Sequence, residues 1–298
     1  MLLPPDHVHP AKLRELVESQ YGPVHGPFEF QPLGEDSWAF RAGDYWVSVR
    51  RDLRGHHPEA YRAATALAAS GLSAVLAPLK SGDGNILHAV NESPVIVFPY
   101  VEARQTHRDE LSTEELERII GLVRAVHESK VKVELPVEDF RLGFEAELRD
   151  TFDFLHHDEP CDSGYPQRLH RLLQPQREHL AQLWRENTAL AEKCMRNGAA
   201  FVVTHGEPSA PNILRTSEGF LLADWGGAML GPPERDWFQV RRTLGPPPGC
   251  RDEFMDFYAT KWILSEVCEY ATIFRETPAD DEQMAAMWKK LMGYIPTA

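Results

Sequence analysis

The stretch FVVTHGEPSAPNILRTSEGFLLADW, residues 201–225, constrains the fold most, because it reads as β structure inside a half of the chain that otherwise reads as helix. FVVT is a short buried strand, NILR and FLLADW are two more, and TSEG between them is a turn. A hairpin with a polar loop in front of it brings Asn212 and Asp224 close together and leaves Glu207 on the loop just before. Oxygen ligands from an Asn and an Asp suit a hard cation such as Mg²⁺ alongside phosphate oxygens. A carboxylate at Glu207 can accept the proton of an incoming hydroxyl, and His205 is better suited to orienting that loop than to reacting.

The remainder divides in two. Up to residue 102 the chain is strand-rich: FEFQPL, SWAFRA, YWVSVRR, ILHAV and PVIVFPY are short aromatic and β-branched runs separated by turn residues. One helix is predicted among them, PEAYRAATALAASG, opened by Pro58 and closed by Gly71. From residue 103 the period changes. Ser112 and Glu115 form a capping box, Leu111 and Leu116 sit at staple spacing, and Leu116, Ile119, Ile120 and Val123 follow at i, i+3, i+4, i+7. Further helices are predicted over 144–156, 167–173, 174–196, 251–274 and 281–292. The expected fold class is α+β, with a small β-rich lobe over 1–102 and a larger α-helical lobe over 103–298.

Composition narrows the partners. A formal net charge of -14 argues against nucleic acid and anionic membranes, and is compatible with a cationic or neutral small molecule. The cysteines at 161, 194, 250 and 268 form no C-x-x-C pair, so reduced thiols are expected rather than a zinc site or disulfide framework. The histidine pairs His56-His57 and His156-His157 lack partners at metal-ligand spacing. MLLPPDHVHP carries no basic leader, and no apolar run approaches the roughly 18 residues of a spanning helix, which predicts a soluble, cytoplasmic protein.

His205, Gly206, Glu207 and Asn212 match the pattern H-[GN]-D-x-x-x-x-N, and Asp224-Trp225 matches the metal-binding D-W that follows it. GPPERDW and LVRAVHES resemble two further segments. On these motifs the chain resembles the aminoglycoside phosphotransferase and choline kinase-like superfamily, which has a bilobal protein-kinase-like fold, and within it the spectinomycin phosphotransferase-like antibiotic branch. The resemblance implies that Glu207 holds or deprotonates an acceptor hydroxyl. It implies that Asn212 and Asp224 bind Mg²⁺ bridging the phosphates of ATP or GTP, and that Asp236 braces the catalytic loop. It also implies a nucleotide-binding hinge at Pro99, Tyr100 and Val101.

Four departures from the pattern stand out. Glu207 replaces the usual Asp. The strand YWVSVRR lacks the usual Lys: Ser48 takes its position, Arg50 on the same face is the nearest replacement cation, and Glu59 is its candidate ion-pair partner. The loop LGEDSW has one glycine, so Gly34 and Ser37 are left to approach phosphate through backbone N–H groups. Gly226 stands where some members add a second acid. On the late helix, Tyr258, Trp262, Glu266 and Glu269 offer an acidic and aromatic surface for a sugar or amine. The expected activity is phosphorylation of a hydroxyl on an antibiotic or similar sugar-bearing natural product. A metabolic kinase for choline, homoserine or a sugar, and a pseudokinase-like binding protein, are the alternatives.

Overall fold

A computed structural model describes residues 4–5, 7–32, 37–157, 164–247, 249–276 and 282–295. The chain begins with helix α1 (Pro10–Gln20), then strands β1 (Phe28–Gln31), β2 (Ser37–Ala42) and β3 (Tyr45–Arg50), helix α2 (Pro58–Ala69), and strands β4 (Leu87–Val90) and β5 (Ser93–Pro99). The five strands pair antiparallel in the order β1-β2-β3-β5-β4. Alternation along β3 sorts its side chains. Val47 and Val49 pack with Phe40, Val95 and Val97 and with Leu13 and Val17 of α1. The other face carries Ser48 and Arg50, and there Ile96 of β5 packs against Tyr61 of α2.

Helix α1 is a second helix where the residue pattern predicted one. Its only fully buried residues are Leu13 and Val17, a single i, i+4 pair. So short a stripe between two prolines and a polar segment carries little periodic signal, and the helix is held by docking on the sheet.

After β5 come β6 (Arg104–Gln105) and α3 (Thr113–His127). The Ser112–Glu115 capping box forms at the start of α3, with Glu115 N–H on Ser112 Oγ at 3.2 Å and Ser112 N–H on Glu115 Oε2 at 3.0 Å. Helices α4 (Glu145–His156), α5 (Tyr165–Leu173) and α6 (Arg177–Asn197) follow, then β7 (Val202–Thr204), β8 (Ile213–Arg215), β9 (Phe220–Leu222) and β10 (Met229–Gly231). The chain ends with α7 (Glu234–Thr243), α8 (Asp252–Glu276) and α9 (Glu282–Tyr294). Strands β8 and β9 form the predicted hairpin, β6 adds to it on the β8 side, and β10 pairs with β7.

By packing, the chain forms two compact units, Met1–Glu138 with Ala200–Gly249, and Asp139–Ala199 with Cys250–Ala298. This differs from the division at residue 102, because the hairpin segment clusters with the five-stranded sheet. Backbone bonds tie it there: Leu76 N–H to Leu222 O at 2.9 Å, Leu222 N–H to Ala74 O at 2.6 Å, and His57 N–H to Gly226 O at 2.9 Å. In the second unit α8 packs against α4, α5, α6 and α9. Leu264, Val267, Cys268, Ala271 and Phe274 are all buried along it, so α8 is the central helix of that unit. Cys194 and Cys268 are buried, Cys250 is half-buried, and Cys161 lies outside the described residues. Among the described residues no helix is long and apolar enough to cross a membrane.

Candidate active site

The loop after β7 is fixed from beneath by one carboxylate. Asp236, on the first turn of α7, is fully buried and accepts from the backbone N–H of His205 at 2.9 Å and of Gly206 at 2.7 Å. His127, at the end of α3, donates its Nε2–H to the same carboxylate at 2.8 Å. Burial pushes the Asp236 carboxyl up, but the bond to His127 and the charges of His127 and Arg235 outweigh it and hold the group below the usual carboxylate range. Removing this acceptor strands two buried N–H groups and an imidazole. Asp236→Ala is therefore expected to cost about 3–5 kcal/mol, read as a fall in melting temperature, with Asp236→Asn losing less because it keeps one acceptor oxygen.

The His205 ring is buried against Trp225, with ring centroids 4.5 Å apart. Its Nε2–H donates to Ala223 O at 2.8 Å, which leaves Nδ1 to accept from Glu207 N–H at 3.3 Å. A single neutral tautomer thus links the loop carrying Glu207 to the end of the hairpin. Gly206 has φ +103, and a β-carbon there would sit 2.7 Å from Arg235 Nη1 and 2.9 Å from Gly227 O. The Arg235 guanidinium fills that space, donating to Thr204 Oγ1 at 3.0 Å and to Gly227 O at 2.8 Å. Only glycine fits between.

Glu207 is partly exposed. Its Oε1 accepts from Ser209 Oγ at 3.2 Å and lies 3.5 Å from Arg242 Nη2 on α7. Asn212 Nδ2 donates to Glu207 O at 3.0 Å, which commits the amide nitrogen and leaves Oδ1 as the atom of that amide able to ligate a cation. Ala223 N–H donates to Asn212 O at 2.9 Å, so the two ends of the hairpin are clasped. Next comes Asp224, in a left-handed backbone conformation (φ 63, ψ 61), with a half-exposed carboxylate 4.0 Å from His56 Nε2. An amide oxygen and a carboxylate carried at the two clasped ends of one hairpin are ligand types that suit a hard divalent cation. No group of three or more His, Cys, Asp or Glu suited to a metal occurs among the described residues, so a cation held here would need further ligands such as phosphate and water oxygens.

Residues 41–270 match the phosphotransferase enzyme family. The chain belongs to that family. It is 40% identical over 275 residues to Protein StrN of Streptomyces griseus, across 90% of this chain and 86% of that protein. Among solved structures, spectinomycin phosphotransferase APH(9)-Ia in complex with ADP and spectinomycin superposes with a TM-score of 0.76 at 16% identity, covering 95% of this chain and 93% of that one. Choline kinase LicA from Streptococcus pneumoniae superposes with a TM-score of 0.55 at 13% identity, covering 95% and 97%. At these identities the likeness fixes the fold, which is kinase-like α+β.

The other expected residues of this phosphotransferase are distributed as follows. Ser37 pairs with Arg50 across β2 and β3, and Ser48 lies two pairs further along, opposite Ala39 and on the same face. Arg50 is buried, and its Nε has no hydrogen-bond partner among the described residues. Glu59 does not pair with it. Instead Glu59 accepts from Arg62 at 3.1 Å, because at the exposed first turn of α2 the i+3 neighbour is the nearest cation. Pro99 ends β5, Tyr100 N–H donates to Asp44 O at 2.7 Å, and the Arg41 guanidinium covers the Tyr100 ring at 4.0 Å, so Val101 follows a fixed backbone. Gly34 lies outside the described residues. In the second unit, Tyr258 is buried against Phe257, while Trp262, Glu266 and Glu269 are half-buried on the same face of α8.

His127, Arg235 and Arg242 did not stand out in the sequence, and neither did His56 as part of the site. The His56 imidazole is mostly buried beside Arg50 and Asp224. Burial first, then Arg50, lowers its pKa to about 4 against the opposing pull of Asp224. Burial likewise lowers His205. Both groups bind a proton more readily in the unfolded chain, whose histidine value is 6.5. Their contribution is therefore complete above pH 6.5 and is lost as pH falls toward about 4. Thermal melts across that window are expected to show falling stability, with a shallower decline for His56→Gln.

Proposed function

We propose that this phosphotransferase moves the γ-phosphate of ATP or GTP onto a hydroxyl of an antibiotic or similar sugar-bearing natural product, in a Mg²⁺-dependent reaction serving resistance or self-protection. The observation that carries the reading is the clasp of Glu207, Asn212 and Asp224 around one hairpin, held by His205 and Asp236. In the proposed reaction Glu207 receives the acceptor hydroxyl. Its carboxylate lies 3.5 Å from the Arg242 guanidinium, a position suited to orienting the hydroxyl and taking its proton late, as a loose phosphoryl transition state requires. Asn212 and Asp224 hold Mg²⁺, which when bound neutralises charge on the phosphate oxygens.

The nucleotide is proposed to lie along the lobe formed by residues 1–102, near Gly34, Ser37, Ser48, Pro99, Tyr100 and Val101. Arg50 serves there in place of the missing lysine. A buried guanidinium whose Nε lacks a partner among the described residues is a cation prepared for an anion. Arg50→Ala is expected to raise the nucleotide KM about 10-fold or more, roughly the loss of one charge-assisted hydrogen bond. Arg50→Lys should recover part of it, and an unchanged KM would remove Arg50 from the nucleotide site. Tyr258, Trp262, Glu266 and Glu269 are the proposed acceptor residues, and the cytoplasm is the proposed compartment.

The spectinomycin-bound neighbour, with its higher TM-score, favours an antibiotic acceptor over choline. The test is expression in a sensitive bacterial host challenged with spectinomycin, aminoglycosides, macrolides and nucleoside antibiotics. Protection against at least one, lost in Glu207→Gln, is expected. Sensitivity to all of them would shift the acceptor to choline, homoserine or a simple sugar.

A further inference from the structure

His56 and Gly226 occupy each other's space. A β-carbon built on Gly226 would overlap the His56 imidazole at Nδ1, so no side chain fits there while the ring is in place. The approach is fixed by the backbone as well, since His57 N–H donates to Gly226 O at 2.9 Å. Behind the ring, Tyr61 of α2 meets His56 Nδ1 at 2.6 Å. Burial raises the Tyr61 phenol far above its ordinary range, so the hydroxyl keeps its proton and donates it to Nδ1. The imidazole proton then sits on Nε2, the atom that faces Asp224 Oδ1 at 4.0 Å.

We infer that His56 is a positioning residue for the Asp224 carboxylate, oriented by Tyr61 and seated where a second acidic side chain would otherwise stand at Gly226. The inference rests on the proposed role of Asp224 as metal ligand. Asp224 holds a left-handed backbone conformation at the end of the hairpin, so its carboxylate direction depends on what surrounds it. A tyrosine–histidine–carboxylate chain provides that direction in the way outer-shell partners orient metal ligands. Direct ligation by the ring is disfavoured on two grounds: Nε2 carries the proton, and Mg²⁺ prefers oxygen. The same geometry explains the missing second acid. The space is filled by an imidazole brought in from the segment before α2, which links the nucleotide strand β3 to the hairpin through one side chain.

The test is Mn²⁺ binding to the full-length protein–ADP complex, followed by electron paramagnetic resonance, with metal-free ADP affinity measured in parallel. His56→Ala is expected to weaken Mn²⁺ binding about 10- to 100-fold with metal-free ADP affinity unchanged. His56→Gln, whose amide nitrogen can stand where Nε2 stands, should recover most of the loss. Gly226→Ala should weaken Mn²⁺ binding like His56→Ala, and the double variant should be no worse than either single one, because the collision is gone. Unaltered Mn²⁺ affinity in folded His56→Ala, alongside weakened binding in Asp224→Ala, would overturn the positioning role and leave the site reading standing. So would additive losses in the double variant, no recovery by Gln, or nitrogen coupling from the imidazole to bound Mn²⁺. Unchanged affinity in Asp224→Ala would remove the metal assignment and the inference with it.

Discussion

Asp224→Ala is expected to slow phosphoryl transfer by about 10²–10³-fold, the cost of deleting one preorganised charge at a developing centre. The carboxylate is half-exposed and has no ion-pair partner closer than 4.0 Å among the described residues. Its removal therefore breaks no buried network of the kind Asp236 anchors. Alanine in a left-handed conformation costs about 1–2 kcal/mol, a shift of a few degrees in melting temperature. The comparison separates function from folding: Asp224→Ala should melt close to the parent yet transfer little phosphate, whereas Asp236→Ala should melt far lower. Initial rates at saturating nucleotide, together with calorimetry on both variants, check this. A folded Asp224→Ala protein with parental turnover would exclude the carboxylate from the reaction.

Glu207→Gln is the second large expected effect, a loss of about 10²–10⁴-fold in turnover, the range for a positioned acid or base. Glutamine keeps the length and the acceptor for Ser209 but loses the charge that faces Arg242. A split between constants distinguishes its role. Loss in kcat with acceptor KM little changed indicates a group acting in the transition state, and the opposite pattern indicates simple acceptor binding. Glu207→Asp, the residue the motif pattern leads one to expect, should retain measurable activity, because the loop backbone is fixed by His205 and Asp236 and only one methylene is withdrawn.

What was legible in the sequence is what depends on local spacing. His205, Glu207, Asn212 and Asp224 lie within one strand–loop–hairpin, so turn chemistry alone brings them together. The Ser112–Glu115 capping box is local in the same sense. What was not legible depends on contacts between distant elements. The Gly226 departure was visible, but its cause is a ring from the segment before α2. His127 ends a helix whose stripe was readable, yet its role depends on a carboxylate on α7. Arg242 follows Gln239 by one turn on α7, donating to it at 2.9 Å, and nothing local marks it as the neighbour of Glu207. Glu59 shows the converse. A plausible partner by helix position was taken by Arg62, one turn away, before Arg50 entered. Helix α1 was missed because two buried residues make too short a pattern.

The central claim is that this site transfers phosphate despite a longer carboxylate at 207 and no lysine on β3. The most direct measurement is incubation of the full-length protein with Mg²⁺ and γ-labelled ATP or GTP, each with an antibiotic acceptor panel, followed by mass spectrometry of the acceptor. The account predicts label on one acceptor hydroxyl in step with nucleoside diphosphate formed, and almost none with Glu207→Gln. A folded protein that binds neither nucleotide, or one whose transfer is indifferent to Glu207 and Asp224, would contradict it.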